Sequence, residues 1–263
     1  MDEYERYFFD LNGYLVVEDV LNKSEIDALN QAIDNNTDLI ERNNPEIEVS
    51  DTLKGDSVRT DLEGMLMWPK PWSQPFRDLM NHPKISPYLN ELLGEKYLLD
   101  HLYGILMSSG NQGLKLHGGG GEDTDFAETQ FFYRYHNGRM RNGLTVVTFA
   151  LADELLGDGG FMVVPGSHKS NMPMPNDVTT LDRDMGIVKE VEIKAGSAII
   201  FTEALSHGTM PWKASHQRRA ILYKYTSGTL HMAQNYLPEG VEEVLDEFTP
   251  EQRAMMNPVP TKS

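Results

Sequence analysis

The chain has 263 residues, enough to bury a large core, and all-β barrels of this length are commonly one domain, so one domain over residues 1–263 is expected. A formal net charge of −17 argues against a phosphate backbone or an anionic membrane as partner, so neither nucleic acid nor membrane binding is expected. With no cysteine there is no disulfide framework, thiolate zinc site or cysteine nucleophile, and any metal must be held by His, Asp, Glu or backbone oxygen. The acidic start Met1-Asp2-Glu3-Tyr4-Glu5 lacks the basic and apolar regions of a leader, and no run of about eighteen apolar residues occurs, which predicts a cytoplasmic protein. Nothing in the pattern chooses between a monomer and a homodimer.

In chain order, Tyr4 to Val20 reads as an apolar helical start followed by the β-prone run Gly13-Tyr14-Leu15-Val16-Val17. A helix capped by Asn22 or Ser24 follows, with Ile26, Leu29, Ala32 and Ile33 at helical spacing. Residues 37–55 are polar and turn-rich, a surface loop or part of a lid. Residues 58–77 carry Met65, Trp68, Pro69, Pro71 and Trp72, too much proline for a helix interior, and read as packing against the core or as a substrate wall. His82-Pro83 opens a helix with Ile85, Leu89, Leu92 and Leu93 on one face, stopped by Gly94. Tyr97 to Leu116 predicts paired strands broken at Gly104 and at Ser108-Ser109-Gly110.

Past the glycine run Gly118-Gly119-Gly120-Gly121 and the acidic patch Glu122-Asp123-Thr124-Asp125, the turn His136-Asn137-Gly138 predicts a hairpin. Gly143 to Leu151 is continuously β-prone, the candidate central strand. Further strands are predicted at Phe161–Val164, Val188–Ile193, Ser197–Phe201 and Ala220–Tyr225, and an amphipathic helical tail over Glu239 to Met256, covering one barrel end and able to line the substrate entrance. The pattern predicts a mainly β, α+β fold: a jelly-roll, cupin-like barrel over residues 97–228, an N-terminal helical layer over 1–96 and a tail over 229–263.

One stretch carries chemistry. Phe201 to Thr209 sets His207 at the mouth of a strand, and Arg218 opens another, a pairing that suits a metal ligand beside a carboxylate clamp. His117, where a strand runs into the glycines, is the upstream partner. Alternation sends the neighbouring Arg219 to the opposite face.

Taken together, Gly13–Val17 with its helix, Leu92-Leu93-Gly94, Leu116-His117, Gly159-Gly160-Phe161, Pro165-Gly166-Ser167-His168-Lys169, Ala195-Gly196-Ser197 and His207-Gly208-Thr209 with Arg218 resemble the phytanoyl-CoA dioxygenase-like family of non-haem iron, 2-oxoglutarate-dependent oxygenases. The resemblance covers most of residues 8–225 and implies a double-stranded β-helix with Fe(II) on His117 and His207. It also implies 2-oxoglutarate on Arg218, with Thr209 beside it, and O2 and a small molecule as further reactants.

The family pattern is His-x-Asp, and here Gly119 stands in the carboxylate position, a departure similar to the iron, 2-oxoglutarate halogenases. Two neutral imidazoles do not offset the ferrous charge, so an anion from elsewhere is favoured. Three sources remain open: chloride or bromide, making a halogenase; Glu203, making a hydroxylase with a rearranged triad; or Glu122, Asp123 or Asp125 folding back. The alternative readings are a small-molecule-binding barrel that has lost its metal, and a sugar-binding or isomerase-type cupin with no use for Arg218. His168 reads as a turn residue near the site, and Trp212 and Tyr133 as core packing or pocket wall. His82, His101, His136, His216 and His231 lie outside ligand spacing.

Overall fold

The computed structural model describes residues 1–40, 48–118, 131–183, 185–228 and 240–256. Helix α1 (Glu3–Asn12) starts in a capping box between Asp2 and Glu5 and stops where Gly13 turns left-handed, at φ +82°. That turn delivers β1 (Tyr14–Val17) and then α2 (Lys23–Asn35), whose cap is Asn22 with Glu25 closing its box. Next come β2 (Thr60–Leu62), α3 (Gln74–Leu79) and α4 (Ser86–Leu93). Strands β3 (Tyr97–Met107), β4 (Leu114–His117), β5 (Tyr133–His136), β6 (Arg139–Asn142), β7 (Thr145–Ala150) and β8 (Gly160–Val163) follow. After α5 (Asn176–Thr179) the sequence continues through β9 (Lys189–Glu190), β10 (Ala198–Thr202), β11 (His207–Met210), β12 (Arg218–Ser227) and α6 (Pro250–Met255).

The strands form a six-stranded sheet in the order β1-β10-β7-β12-β3-β2 and a four-stranded sheet in the order β4-β11-β8-β9, with β5-β6 as a separate hairpin. The neighbours pair antiparallel, giving the double-stranded β-helix. Between the sheets lie Ile105, Val146, Phe161, Val163, Phe201, Trp212 and Leu222. The other face of the large sheet, with Val147, Phe149, Ile200, Ile221 and Tyr223, packs on Leu29, Ile33, Phe76 and Leu89 of the helices. Both alternating sets in β7 are therefore buried, which explains a composition of apolar residues and threonine with no charge.

Several elements differ from expectation. Helix α3 forms inside the proline-rich stretch because Pro75 sits in its first turn, where a missing N–H costs nothing. Gly104 does not break β3: it lies within the strand opposite Ile221, and a Cβ there would come 2.7 Å from Leu62, so the glycine admits a neighbour. Residues 1–96 supply both edge strands, β1 and β2, as well as helices. Val188–Ile193 shortens to β9 and a lone bridge between Glu154 and Ile193. The tail is a 3-10 turn (Val241–Glu247) followed by α6, and it packs with the helical layer and β3: Arg77 pairs with Glu247 at 2.5 Å and lies over the Phe248 ring, and Gln252 donates to the Arg77 carbonyl. Leu53 is fully buried and Ser50 donates to the Thr180 carbonyl, so residues 48–55 are pinned to the body. Among the described residues no helix is long and apolar enough to cross a membrane.

Candidate metal and cosubstrate site

His117 ends β4, His207 begins β11, and the register makes them direct cross-strand partners. Side chains opposite each other on one face of an antiparallel pair are close, and the two imidazole centroids lie 4.2 Å apart. Each ring turns Nδ1 to a backbone carbonyl two residues upstream: His117 to Lys115 at 3.1 Å, His207 to Leu205 at 2.8 Å. A carbonyl only accepts, so Nδ1 carries the proton and each Nε2 keeps the lone pair a metal needs. Burial first, and then the neighbouring His117, push His207 down to about 3, against the pull of Glu203, so it is neutral at physiological pH.

Gly118, at φ +78°, is required on steric grounds. A Cβ there would come 2.6 Å from the Glu203 carbonyl and 2.8 Å from that of Leu205. The residue after the histidine is thus pressed onto the turn carrying the second histidine. Gly119 and the acidic patch Glu122, Asp123 and Asp125 lie outside the described residues, as does His231.

Glu203, in the turn between β10 and β11, sets Oε2 3.9 Å from His207 Nε2 and Oε1 2.6 Å from Lys224 Nζ, an ion pair by distance though not aligned as a hydrogen bond. Burial alone would raise this carboxyl, but the Lys224 ammonium beside it outweighs burial and holds it low, so it is ionised. The Lys224 ammonium, which burial would lower, is raised by the same partner and lies over the Tyr103 ring. Among the described residues no three His, Asp or Glu side chains are gathered as a metal-holding group.

Arg218 opens β12 on the inward face and is buried. Its Nε lies 2.8 Å from Glu154 Oε2, again without hydrogen-bond alignment, and its Nη1 3.7 Å from the Met107 sulphur, a weak acceptor. Holding the guanidinium by Nε orients the fork of Nη1 and Nη2 for a carboxylate. Gly160 makes room, since a Cβ there would meet Glu154 Oε2 at 2.5 Å and Arg218 Nε at 3.3 Å. Arg219 points the other way and binds Asn30 and Asp34 of α2 at 3.0 and 2.7 Å. Thr209 is buried two residues beyond His207 on its face of β11.

The remaining residues sort as structural. His168 hydrogen-bonds the Asp10 carbonyl through Nε2, and burial lowers it to about 4. Trp212 is buried and donates to the His216 carbonyl, and Tyr133 bonds Asp10. His82 faces Glu25, His101 pairs with Asp100, His136 sits in the hairpin, and His216 bonds the Asp153 carbonyl. Sequence reasoning missed Lys224 and Glu154. Alternation along β12 puts Lys224 on the Arg218 face, a signal for the first; nothing local marks Glu154.

The sequence profile described as Phytanoyl-CoA dioxygenase (PhyH) matches residues 9–220. Among curated proteins none matches by sequence. HygX from Streptomyces hygroscopicus, solved with nickel, 2-oxoglutarate and hygromycin B, superposes with a TM-score of 0.73 at 20% identity over 87% of this chain and 88% of its own. EctD from S. alaskensis, solved with 2-oxoglutarate and 5-hydroxyectoine, gives 0.64 at 18% identity over 92% and 81%. The epimerase SnoN from nogalamycin biosynthesis, described as non-heme and alpha-ketoglutarate-dependent, gives 0.60 at 17% over 90% of each chain.

Proposed function

The chain belongs to the phytanoyl-CoA dioxygenase family, and on that premise we propose that it is a non-haem Fe(II), 2-oxoglutarate-dependent oxygenase acting on a small molecule. His117 and His207 hold the iron, and Arg218 binds the far carboxylate of the cosubstrate. The observation that carries this reading is the cross-strand pair of imidazoles with both Nδ1 atoms engaged by backbone carbonyls. The donor set fits the group: nitrogen and carboxylate suit ferrous iron, and a buried guanidinium suits a dicarboxylate. Bound iron with 2-oxoglutarate and O2 supplies the oxidation of an unactivated C–H bond. The chain's part is to orient: backbone carbonyls fix both rings and Glu154 lies against the guanidinium. A bidentate bond from Arg218 to a carboxylate is worth about 1.5–3 kcal/mol.

For the anion, Glu203 is the leading candidate. Its Oε2 stands 3.9 Å from His207 Nε2, within the span of two ligands on one ion, and that reading makes the enzyme a hydroxylase. The hold of Lys224 on the other oxygen favours a second reading, in which the carboxylate stays with the ammonium and chloride or bromide fills the place, giving a halogenase. Anaerobic titration with Fe(II) and 2-oxoglutarate, followed by iron-edge absorption with and without bromide, tests both. A bromide scatterer in the first shell selects halogenation, and an unchanged oxygen and nitrogen shell that loses one oxygen in Glu203→Gln selects hydroxylation. No iron retention would overturn both and leave the non-catalytic barrel. Arg218→Ala must weaken 2-oxoglutarate binding far more than Arg219→Ala; the reverse order would sink the clamp.

A further inference from the structure

Phe9 is the buried residue of helix α1, and the opposite face of the helix is turned to solvent. Tyr4, Tyr7, Phe8 and Leu11 form that face at the i, i+3, i+4, i+7 spacing, and they are 70%, 65%, 54% and 49% exposed. The flanking charges are engaged inside the chain: Glu5 accepts from the Tyr88 hydroxyl at 2.6 Å, Arg6 pairs with Glu91, and Asp10 pairs with Lys169 at 3.0 Å. What the helix offers outward is a contiguous aromatic and aliphatic stripe, and monomeric proteins seldom leave such a stripe open. We propose that this stripe is the interface of a two-fold symmetric homodimer, in which α1 packs antiparallel on α1 of a second copy of the chain.

Three features single out a second copy as the occupant. The apolar positions are spaced symmetrically about the midpoint between Tyr7 and Phe8, so a two-fold axis there sets Tyr7 against Phe8 and Tyr4 against Leu11 of the other copy. That is the self-matching pattern an isologous interface needs, and the antiparallel crossing sets each helix N-terminus beside the other's C-terminus, which suits both dipoles. The area also suffices. An aromatic side chain has about 150–250 Å² to bury, so the four residues at these exposures offer on the order of 450 Å² per copy. Just over half of a standard interface face of about 800 Å² is apolar, and the stripe supplies that share. Finally, a charged partner would find Glu5, Arg6 and Asp10 already paired within the chain, whereas an apolar stripe needs no new ion pair.

The test is sedimentation velocity of the full chain over a range of protein concentrations, at low and at high NaCl. The expected result is a concentration-dependent species of twice the chain mass that tightens as salt rises, because two copies of net charge −17 repel and salt screens them. Phe8→Glu sets a carboxylate beside the axis and should weaken association at least about tenfold, whereas Phe8→Leu should keep it. Both variants should retain the far-UV circular dichroism of the parent, which separates loss of the interface from loss of the fold. The chain has no cysteine, so Tyr7→Cys introduces a lone thiol near the axis, and mild oxidation should link two copies through it faster than through Glu243→Cys, an exposed position outside α1. A monomer at every concentration would overturn the proposal, as would a dimer indifferent to Phe8→Glu, one that loosens with salt, equal linking by the two thiols, or species growing beyond two copies.

Discussion

Replacing Lys224 by methionine isolates the buried pair beside His207. Lys224 and Glu203 have side chains 14% and 4% exposed, so the variant leaves a carboxylate without its cation in a place water hardly reaches. Burial would raise Glu203, and the Lys224 ammonium holds it below the usual carboxylate range, so the charged form depends on that cation. Removing one partner of a buried pair costs about 3–5 kcal/mol. Lys224→Met should therefore lose about 3 kcal/mol in urea unfolding of the metal-free protein at pH 7.5. The double variant Lys224→Met, Glu203→Gln should recover most of it, because a neutral amide needs no cation. The sign in pH follows from the depressed carboxyl: its contribution is present above the unfolded value of 4.5 and drains away as pH falls toward 2. A single variant within about 1 kcal/mol of the parent, or a double variant no better than the single, would refute the reasoning.

The metal-free protein should also lose stability in mild acid. His207 and His168, at about 3 and 4 when folded, take up protons on unfolding below 6.5, so stability is fully present above that pH and falls beneath it. Urea midpoints unchanged between pH 7 and pH 5 would contradict this. Gly118→Ala should cost at least about 1–2 kcal/mol from the left-handed backbone alone, and more from the contact with the 203–205 turn, read as a fall in Tm together with weaker Co(II) binding. Arg219→Ala should cost about 0.2–1 kcal/mol, as Asp34 is largely exposed, and leave metal affinity untouched. Asn22→Ala should lose about 1 kcal/mol with the cap of α2, checked by the same urea titration.

The barrel was legible because its strands carry a period of two and its turns carry glycine, and the facing of His117 and His207 followed from ordered motifs rather than from either residue alone. Arg218 and Arg219 were separable because strand alternation is strict: one is buried with Glu154, the other reaches α2. Partners across space were not legible. Glu203 offered itself as a free carboxylate in sequence, and only folding brings Lys224 against it from β12. Helix α3 was hidden by prolines that obstruct a helix interior but not its first turn. The tail was recognisably amphipathic, yet which surface it covers depends on Arg77, far away in the chain.

The cross-strand position of the two imidazoles makes the centre intolerant of small insertions in a way its distance from the loops would not suggest. His117 and His207 face each other only while β4 and β11 keep their register, and the ladder already shifts between His207 and Thr209. Removing one residue between Leu114 and His117 would turn the imidazole to the outer face and separate the pair. The connection from Ser108 to Gly113 is tied down as well, since Asn111 bonds Ser57, Val58 and the Trp212 N–H and Gly113 donates to the Leu53 carbonyl. The four residues of β4 therefore behave as a fixed-length spacer.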